Sequence, residues 1–100
     1  MKVDPRFTQG LKLFAEGEYF ECHEVIEELW LDTSKKDPNR ELYQGVIQAA
    51  AAIYQLERGI LSGALGLYKT SLRYLKPYSP KALGCDVDQL IAELHKRFKK

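Results

Sequence analysis

The chain has 100 residues, 45% of them hydrophobic and 29% charged, which is the balance of one folded globular domain and excludes an intrinsically disordered chain. Its 15 basic and 14 acidic side chains leave a net charge of +1, so no basic field indicates a nucleic-acid partner. No segment approaches the roughly 20 consecutive apolar residues that span a bilayer, and no membrane partner is expected.

The cysteines and the first residues bear on the cellular compartment. Cys22 and Cys85 are far apart and lack the C-x-x-C spacing of metal and redox sites, so we interpret both as small apolar core residues. Lys2, Asp4 and Arg6 stand where a secretory signal peptide would have its apolar core. A cytoplasmic location is therefore expected.

Helical periodicity recurs along the chain, and no alternation typical of β-strands competes with it. The first helix is predicted to begin with Asp4 as N-cap and Pro5 as its first residue, and Gly17 suits a left-handed exit. The second helix is predicted from about Glu18 to Leu31. The segment DTSKKDPN that follows is predicted to be a loop.

Three more helices are predicted in the rest of the chain. Asp37 and Pro38 repeat the cap-plus-proline signal, so the third helix is expected from that point to about Arg58. The fourth helix carries apolar residues at spacings of three and four until Pro77 breaks it. The sequence DVDQ at residues 86–89 resembles a capping box that opens a fifth helix.

The fold class follows from this series of helices and short connections. We expect all 100 residues to form a single helical domain, with no internal linker. Its class is all-α, a compact array or bundle of about five helices. The second and third helices are expected to be central, because both are apolar around most of their circumference.

The second helix carries acidic residues on a side that its pattern assigns to the core. On a helical wheel its apolar residues leave a gap that holds only Glu21, Glu28 and Asp32, which are ordinary solvent-facing acids. His23 and Glu27 lie four residues apart inside the apolar sweep. We therefore expect these two side chains to be buried or to line a cleft.

The third helix offers partners for these groups. A buried carboxylate must be paired or hydrogen-bonded, because its desolvation costs several kcal/mol. In an antiparallel hairpin with a rise of about 1.5 Å per residue, Gln44 comes level with Glu27. By the same count, Gln48 comes level with His23 and Glu24. The sequence thus predicts a polar cluster between the two helices, made of His23, Glu24, Glu27, Trp30, Gln44 and Gln48.

Three interpretations of this cluster stay open. It could be a satisfied hydrogen-bond network that fixes how the two helices dock. It could be a cleft whose carboxylates and imidazole, framed by Trp30, take a cationic or hydrogen-bond-donating ligand or a partner. It could also be a metal or hydrolytic site, since HEVIE resembles H-E-x-x-H with glutamate in place of the second histidine.

The metal interpretation lacks a third ligand. A catalytic zinc uses three protein ligands and an open position, whereas the other histidine, His95, lies on the distal fifth helix and glutamine amides are poor zinc ligands. The sequence also lacks a nucleophile elbow, a P-loop and a dinucleotide fingerprint. It therefore assigns no catalytic residue, no metal ligand and no cofactor.

The motifs GEYFECHEVIEELW and YQGVIQAAAAIYQLERGILSGA resemble the bacterial domain of unknown function 309 family. The shared pattern is a glycine-aromatic lead, H-E-x-x-E-x-x-W, then Q-G with an alanine-rich helix and a G-A start to the next helix. It covers the first helix through the fourth. The resemblance implies a compact all-α array of about five helices and no established biochemical activity. It places the family's characteristic polar residues on His23, Glu24, Glu27, Trp30 and Gln44, with Gly45 behind them.

The expected function is that of a small structural module or a ligand- or partner-binding module. The alternative is a metal-dependent, hydrolase-like enzyme that uses His23, Glu24 and Glu27. Self-association into a homo-oligomer is also expected, because two nearly all-round apolar helices and many exposed tyrosines need cover in so short a chain. The substrate, the partner and the pathway do not follow from the sequence.

Overall fold

A computed structural model describes residues 3–99. These residues form five α-helices, a 3₁₀ turn at Lys76–Tyr78 and a short antiparallel hairpin of strands β1 (Lys81–Ala82) and β2 (Cys85–Asp86). The predicted all-α array of about five helices is confirmed. The helices are α1 (Pro5–Ala15), α2 (Tyr19–Asp32), α3 (Arg40–Glu57), α4 (Leu61–Leu75) and α5 (Val87–Phe98).

Helices α2 and α3 are central, as predicted, because α2 packs between α1 and α3, and α3 packs between α2 and α4. Two contacts fix their relative direction. The rings of Phe20 and Tyr54 lie 5.5 Å apart, and the guanidinium of Arg40 lies over the ring of Trp30. Since the start of α2 meets the end of α3, and the end of α2 meets its start, the two helices are antiparallel.

The core runs along the inner sides of these helices. Its fully buried large side chains include Phe7, Ile26, Leu42, Ile53, Leu75 and Leu94. At Gly45 the backbones of α3 and α4 approach closely, because a β-carbon there would lie 2.8 Å from Cδ2 of Leu75 and 3.2 Å from Cβ of Tyr74. The last helix returns to the second, where the guanidinium of Arg97 donates a 2.9 Å hydrogen bond to the hydroxyl of Tyr19.

The predicted helix ends are confirmed at three places. The Asp4 carboxylate accepts a hydrogen bond from the backbone N–H of Arg6, with Pro5 as the first residue of α1. Gly17 has φ of 82°, the left-handed exit expected after α1. The Asp86 side chain accepts from the backbone N–H of Gln89 and so caps α5.

Two expectations about connections are wrong. Helix α3 begins at Arg40, and Asp37 instead accepts a 2.8 Å hydrogen bond from the backbone N–H of Asn39 within a turn. The β-hairpin was missed because two-residue strands are too short to show alternation. Its turn holds Leu83 and Gly84 at φ of 49° and 77°, a conformation that signals a tight hairpin but that leucine rarely adopts.

Both cysteines are free and buried, at 0% exposure for Cys22 and 3% for Cys85. Burial raises the pKa of the Cys22 thiol to about 12. Burial, with Asp86 nearby, raises the pKa of the Cys85 thiol to about 11. Among residues 3–99, no helix combines the length and the apolar composition needed to cross a bilayer.

Candidate functional site

One side of α2 is directed away from the core. Phe20, Glu24, Glu27 and Leu31 are all exposed, and their spacings of four, three and four place them on one stripe along the helix. Phe20 is 46% exposed and Leu31 is 68% exposed. Two apolar residues of this helix, Phe20 and Leu31, therefore face solvent, with the two carboxylates between them.

The expectation that Glu27 is turned inward is wrong, and Glu24 is also exposed. Helices α1 and α3 cover two sides of α2, and the stripe that contains both carboxylates is exposed. His23 is half-buried at the boundary with α3, and its Nε2 lies 3.9 Å from Oε2 of Glu27. That distance exceeds a hydrogen bond, so the pair interacts only loosely.

A matching stripe runs along α3. Arg40, Gln44, Gln48, Ala51 and Gln55 follow at spacings of four, four, three and four, and each is partly exposed. Because the two helices are antiparallel neighbours, both stripes belong to one surface. We define this α2/α3 face as Phe20, His23, Glu24, Glu27, Trp30 and Leu31 of α2 with Arg40, Gln44, Gln48, Ala51 and Gln55 of α3.

An aromatic cavity lies at one end of the α2/α3 face. Its volume is about 190 Å³, and Phe20, His23, Ala51, Tyr54 and Gln55 contribute to its lining. The rings of Phe20 and His23 are stacked with centroids 6.4 Å apart. The exposed edge of this cavity can accept an apolar side chain from outside.

The opposite end of the face is closed by a cation–π contact. The guanidinium carbon of Arg40 lies 4.1 Å from the centroid of the Trp30 ring. Two polar atoms of the face are buried and have no hydrogen-bond partner in the described part of the chain. They are Nε1 of Trp30 and Oε1 of Gln48. An unpaired buried polar atom costs about 1–3 kcal/mol, so these positions are poorly satisfied.

The six sequence-derived residues lie on the α2/α3 face, but they do not form a closed network. No hydrogen bond joins the side chains of His23, Glu24, Glu27, Gln44 and Gln48 to one another in residues 3–99. Over the same residues, no group of three or more histidine, cysteine, aspartate or glutamate side chains is placed to hold a metal ion.

Phe20, Leu31 and Arg40 belong to this region and were not selected from the sequence. Phe20 and Leu31 could have been found from the sequence, because they lie eleven residues apart on the same side of α2 with Glu24 and Glu27 between them.

The expectation of many exposed tyrosines is wrong, because all six are buried or half-buried. Self-association stays a prediction, and its apolar surface would come instead from Phe20, Leu31, Ile60, Leu61 and Leu65.

Comparison with known proteins shows that the part of the chain that contains this face matches a protein family. The model of the domain of unknown function DUF309 matches residues 7–67, which contain the whole α2/α3 face. The chain is 38% identical over 83 residues to the uncharacterized protein YpuF of Bacillus subtilis (strain 168). That alignment covers 81% of this chain and 47% of YpuF, so the chain spans about half the length of this relative.

A solved structure shares the fold over its full length. The crystal structure of a conserved hypothetical protein from Thermus thermophilus is similar with a TM-score of 0.80 and 31% sequence identity. The similarity covers 100% of both chains, so it includes α5 and the hairpin as well as the α2/α3 face. By its family match and by these relatives, the chain belongs to the DUF309 family, a domain of unknown function.

Proposed function

We propose that the protein is a binding module whose α2/α3 face takes a basic amphipathic helix of a partner protein. The observation that carries this proposal is the α2 stripe, on which exposed Phe20 and Leu31 enclose the carboxylates of Glu24 and Glu27. Large exposed apolar side chains with a polar surround are typical of protein-interaction surfaces.

The spacing of the anchors supports a helical partner. Phe20 and Leu31 are eleven residues apart, which is about 16 Å along a helix. A helix laid along α2 would match this length with two apolar residues three turns apart. The aromatic cavity beside Phe20 would take one of them, and Leu31 with the Trp30 ring would contact the other.

Charge supports a basic partner. Glu24 and Glu27 lie at the centre of the face, and both side chains are exposed. The guanidinium of Arg40 is already engaged by the Trp30 ring. Lysine or arginine side chains in the middle of a partner helix would therefore meet an acidic surface, which favours fast and specific association.

The hydrogen bonding of the face also favours binding over a purely structural role. A structural network would be expected to satisfy its own members, whereas Oε1 of Gln48 has no partner in the described residues and His23 approaches Glu27 only to 3.9 Å. The polar groups of this face are therefore not joined into a network that would explain them by a structural role alone.

A selection from a displayed library of helical peptides, each about 15 residues long, tests this proposal without a known partner. Enriched peptides should carry apolar residues eleven positions apart with lysine or arginine between them. The double variant Glu24→Lys/Glu27→Lys should bind them about tenfold or more weakly. The matched control Glu16→Lys/Glu21→Lys changes the same net charge at exposed positions outside the face and should bind normally.

Two results would contradict the proposal. Enrichment of acidic peptides, or of none, would show that the face does not select a basic helix. If both double variants bound the peptides equally weakly, the net charge of the protein, and not the α2/α3 face, would determine binding.

A further inference from the structure

A second cavity lies apart from the α2/α3 face, where the start of α1, the end of α2 and the loop before α3 meet. Its volume is about 300 Å³. Asp4, Asp32 and Asp37 line it together with one guanidinium, that of Arg6. Leu83, at the turn of the β-hairpin, contributes an apolar wall, so four separate parts of the chain enclose this space.

The charges of the lining do not balance. Arg6 pairs with Asp4 at 3.2 Å and with Asp32 at 2.8 Å, which leaves three carboxylates around one cation. Asp37 accepts a backbone hydrogen bond from Asn39 but makes no ion pair within residues 3–99. The cavity also adjoins the negative end of α2, which has no basic residue in its last turn. A positive ligand is therefore favoured here.

A mostly buried tyrosine side chain provides an independent sign of a ligand. Tyr43 is only 7% exposed, its ring contacts Phe7 at 5.1 Å, and it lines the cavity. Its hydroxyl makes no hydrogen bond to another described residue, and its oxygen is not among the fully buried polar atoms, so it is open to the cavity that the side chain lines. Burial, with Asp37 and Asp4 nearby, raises the pKa of Tyr43, so the phenol is neutral and its oxygen can accept an N–H.

The arrangement of acceptors selects the kind of cation. Carboxylate and phenol oxygens can all accept N–H groups. The carboxylates are spread around the cavity, and no group of three acidic, histidine or cysteine side chains within residues 3–99 converges on one point, as a metal ion would need. An organic cation with N–H donors fits acceptors that are distributed in this way.

We propose that this cavity binds a small organic cation of the alkylamine or diamine class, with an ammonium group held by Asp37 and the Tyr43 hydroxyl. This site is independent of the peptide-binding face, since none of the residues that line the cavity belongs to that face. The ammonium donates to the carboxylate as a charge-assisted hydrogen bond and to the phenol oxygen as a neutral one.

The test is a titration of the isotope-labelled protein with butylamine, diaminobutane and butanediol, followed by NMR. Both amines should shift the backbone amides of residues 32–43, with diaminobutane binding more tightly, and butanediol should not bind because it has no charge. Tyr43→Phe and Asp37→Asn should each weaken amine binding by about tenfold. Added salt should weaken it further.

Matched controls separate the site from general effects on the protein. Tyr74→Phe removes a hydroxyl on α4, and Glu16→Gln removes an exposed charge, and both should leave amine binding unchanged. Tyr43→Phe removes one atom from a buried side chain, and circular dichroism checks that the helices remain. If that variant does not fold, Asp37→Asn, whose side chain lies in a loop, gives the decisive measurement.

Three outcomes would overturn the proposal. Butanediol could bind as well as diaminobutane, which would mean that charge is not recognised. Amine binding could be unaffected by both Tyr43→Phe and Asp37→Asn, which would place the amine elsewhere. A lysine-containing peptide could bind at this cavity where neither free amine does, which would assign the cavity to a protein partner.

Discussion

The guanidinium of Arg40 lies 4.1 Å from the centroid of the Trp30 ring, so the first residue of α3 stacks on the last aromatic residue of α2. This contact holds the end of α2 against the start of α3, on either side of the loop that connects them, at the edge of the α2/α3 face. A half-buried cation–π pair of this kind contributes about 0.5–2 kcal/mol.

Arg40→Ala should therefore lower the free energy of unfolding by about 0.5–2 kcal/mol. Trp30 is the chain's one tryptophan, so its fluorescence reports the contact directly and should move to longer wavelength as the ring gains solvent. Arg73→Ala is the control. It also removes a guanidinium beside an aromatic ring, at 5.7 Å from Tyr74 on α4, and it should leave the Trp30 emission unchanged. Unchanged emission in Arg40→Ala would show that the stack does not form in solution.

Glu24→Gln should leave the stability of the protein nearly unchanged, within about 0.5 kcal/mol, because the side chain is exposed and makes no ion pair in the described residues. The measurement is urea unfolding followed by circular dichroism. A loss well above that figure would favour a structural role for the carboxylate over the binding role proposed for it.

Gly45→Ala should destabilise the protein by about 1–3 kcal/mol, because the new methyl group would crowd Leu75 and Tyr74 where α3 meets α4. Gly66→Ala is the matched control within a helix. Its β-carbon would meet no atom within 4 Å, so it should stabilise α4 by about 0.5–1 kcal/mol. Thermal unfolding of the two variants should thus move in opposite directions, and a shared direction would disprove the close approach at Gly45.

Neither cysteine should react with a thiol reagent in the native protein. Cys22 and Cys85 are buried, and burial holds the pKa of their thiols at about 12 and about 11, so almost no thiolate exists near neutral pH. Reaction with Ellman's reagent should be slow without denaturant and complete for both thiols in urea. Rapid labelling of one native thiol would show that its part of the core opens readily.

Stability should fall on acidification below about pH 6.5 in a manner that depends on His95. Burial lowers the pKa of His95, and Lys99 and Lys76 lower it further, while its Nδ1 lies 2.7 Å from the hydroxyl of Tyr68. The unfolded chain then binds a proton more readily than the folded chain, so acid favours unfolding until the lowered pKa is passed. Above about pH 6.5 this contribution is constant.

The pH effect is checked by urea unfolding across this range for the wild type and for His95→Gln. All other ionisable groups are common to the two proteins, so the difference between the two curves belongs to His95. Parallel curves would mean that its protonation is not linked to folding.

The helices were predictable because their signals are local. Asp4, Gly17 and Asp86 act at the helix ends where their chemistry suggested, since caps depend on neighbours within one turn. The Asp37–Pro38 signal failed because Asp37 bonds to Asn39 in a turn, which is an equally local use of the same side chain.

The candidate site was predictable only in part. Helical rise and an antiparallel arrangement correctly place α2 beside α3, with their polar stripes on one surface. A helical wheel shows which residues share a side but not which element covers it, and so it could not show that Phe20, Glu27 and Leu31 face outward. The second cavity joins residues from the start of α1, the connection from α2 to α3 and the β-hairpin, and no sequence spacing reveals it.

The hydrogen bond from Arg97 to Tyr19 spans 78 positions in the chain, whereas α2, α3 and α4 each pack on the helix made just before them. During synthesis on the ribosome, we expect the first four helices to assemble in order as they emerge, because neighbouring contacts close only short loops. The contact between Tyr19 and α5 can then form only after the last helix has been synthesised.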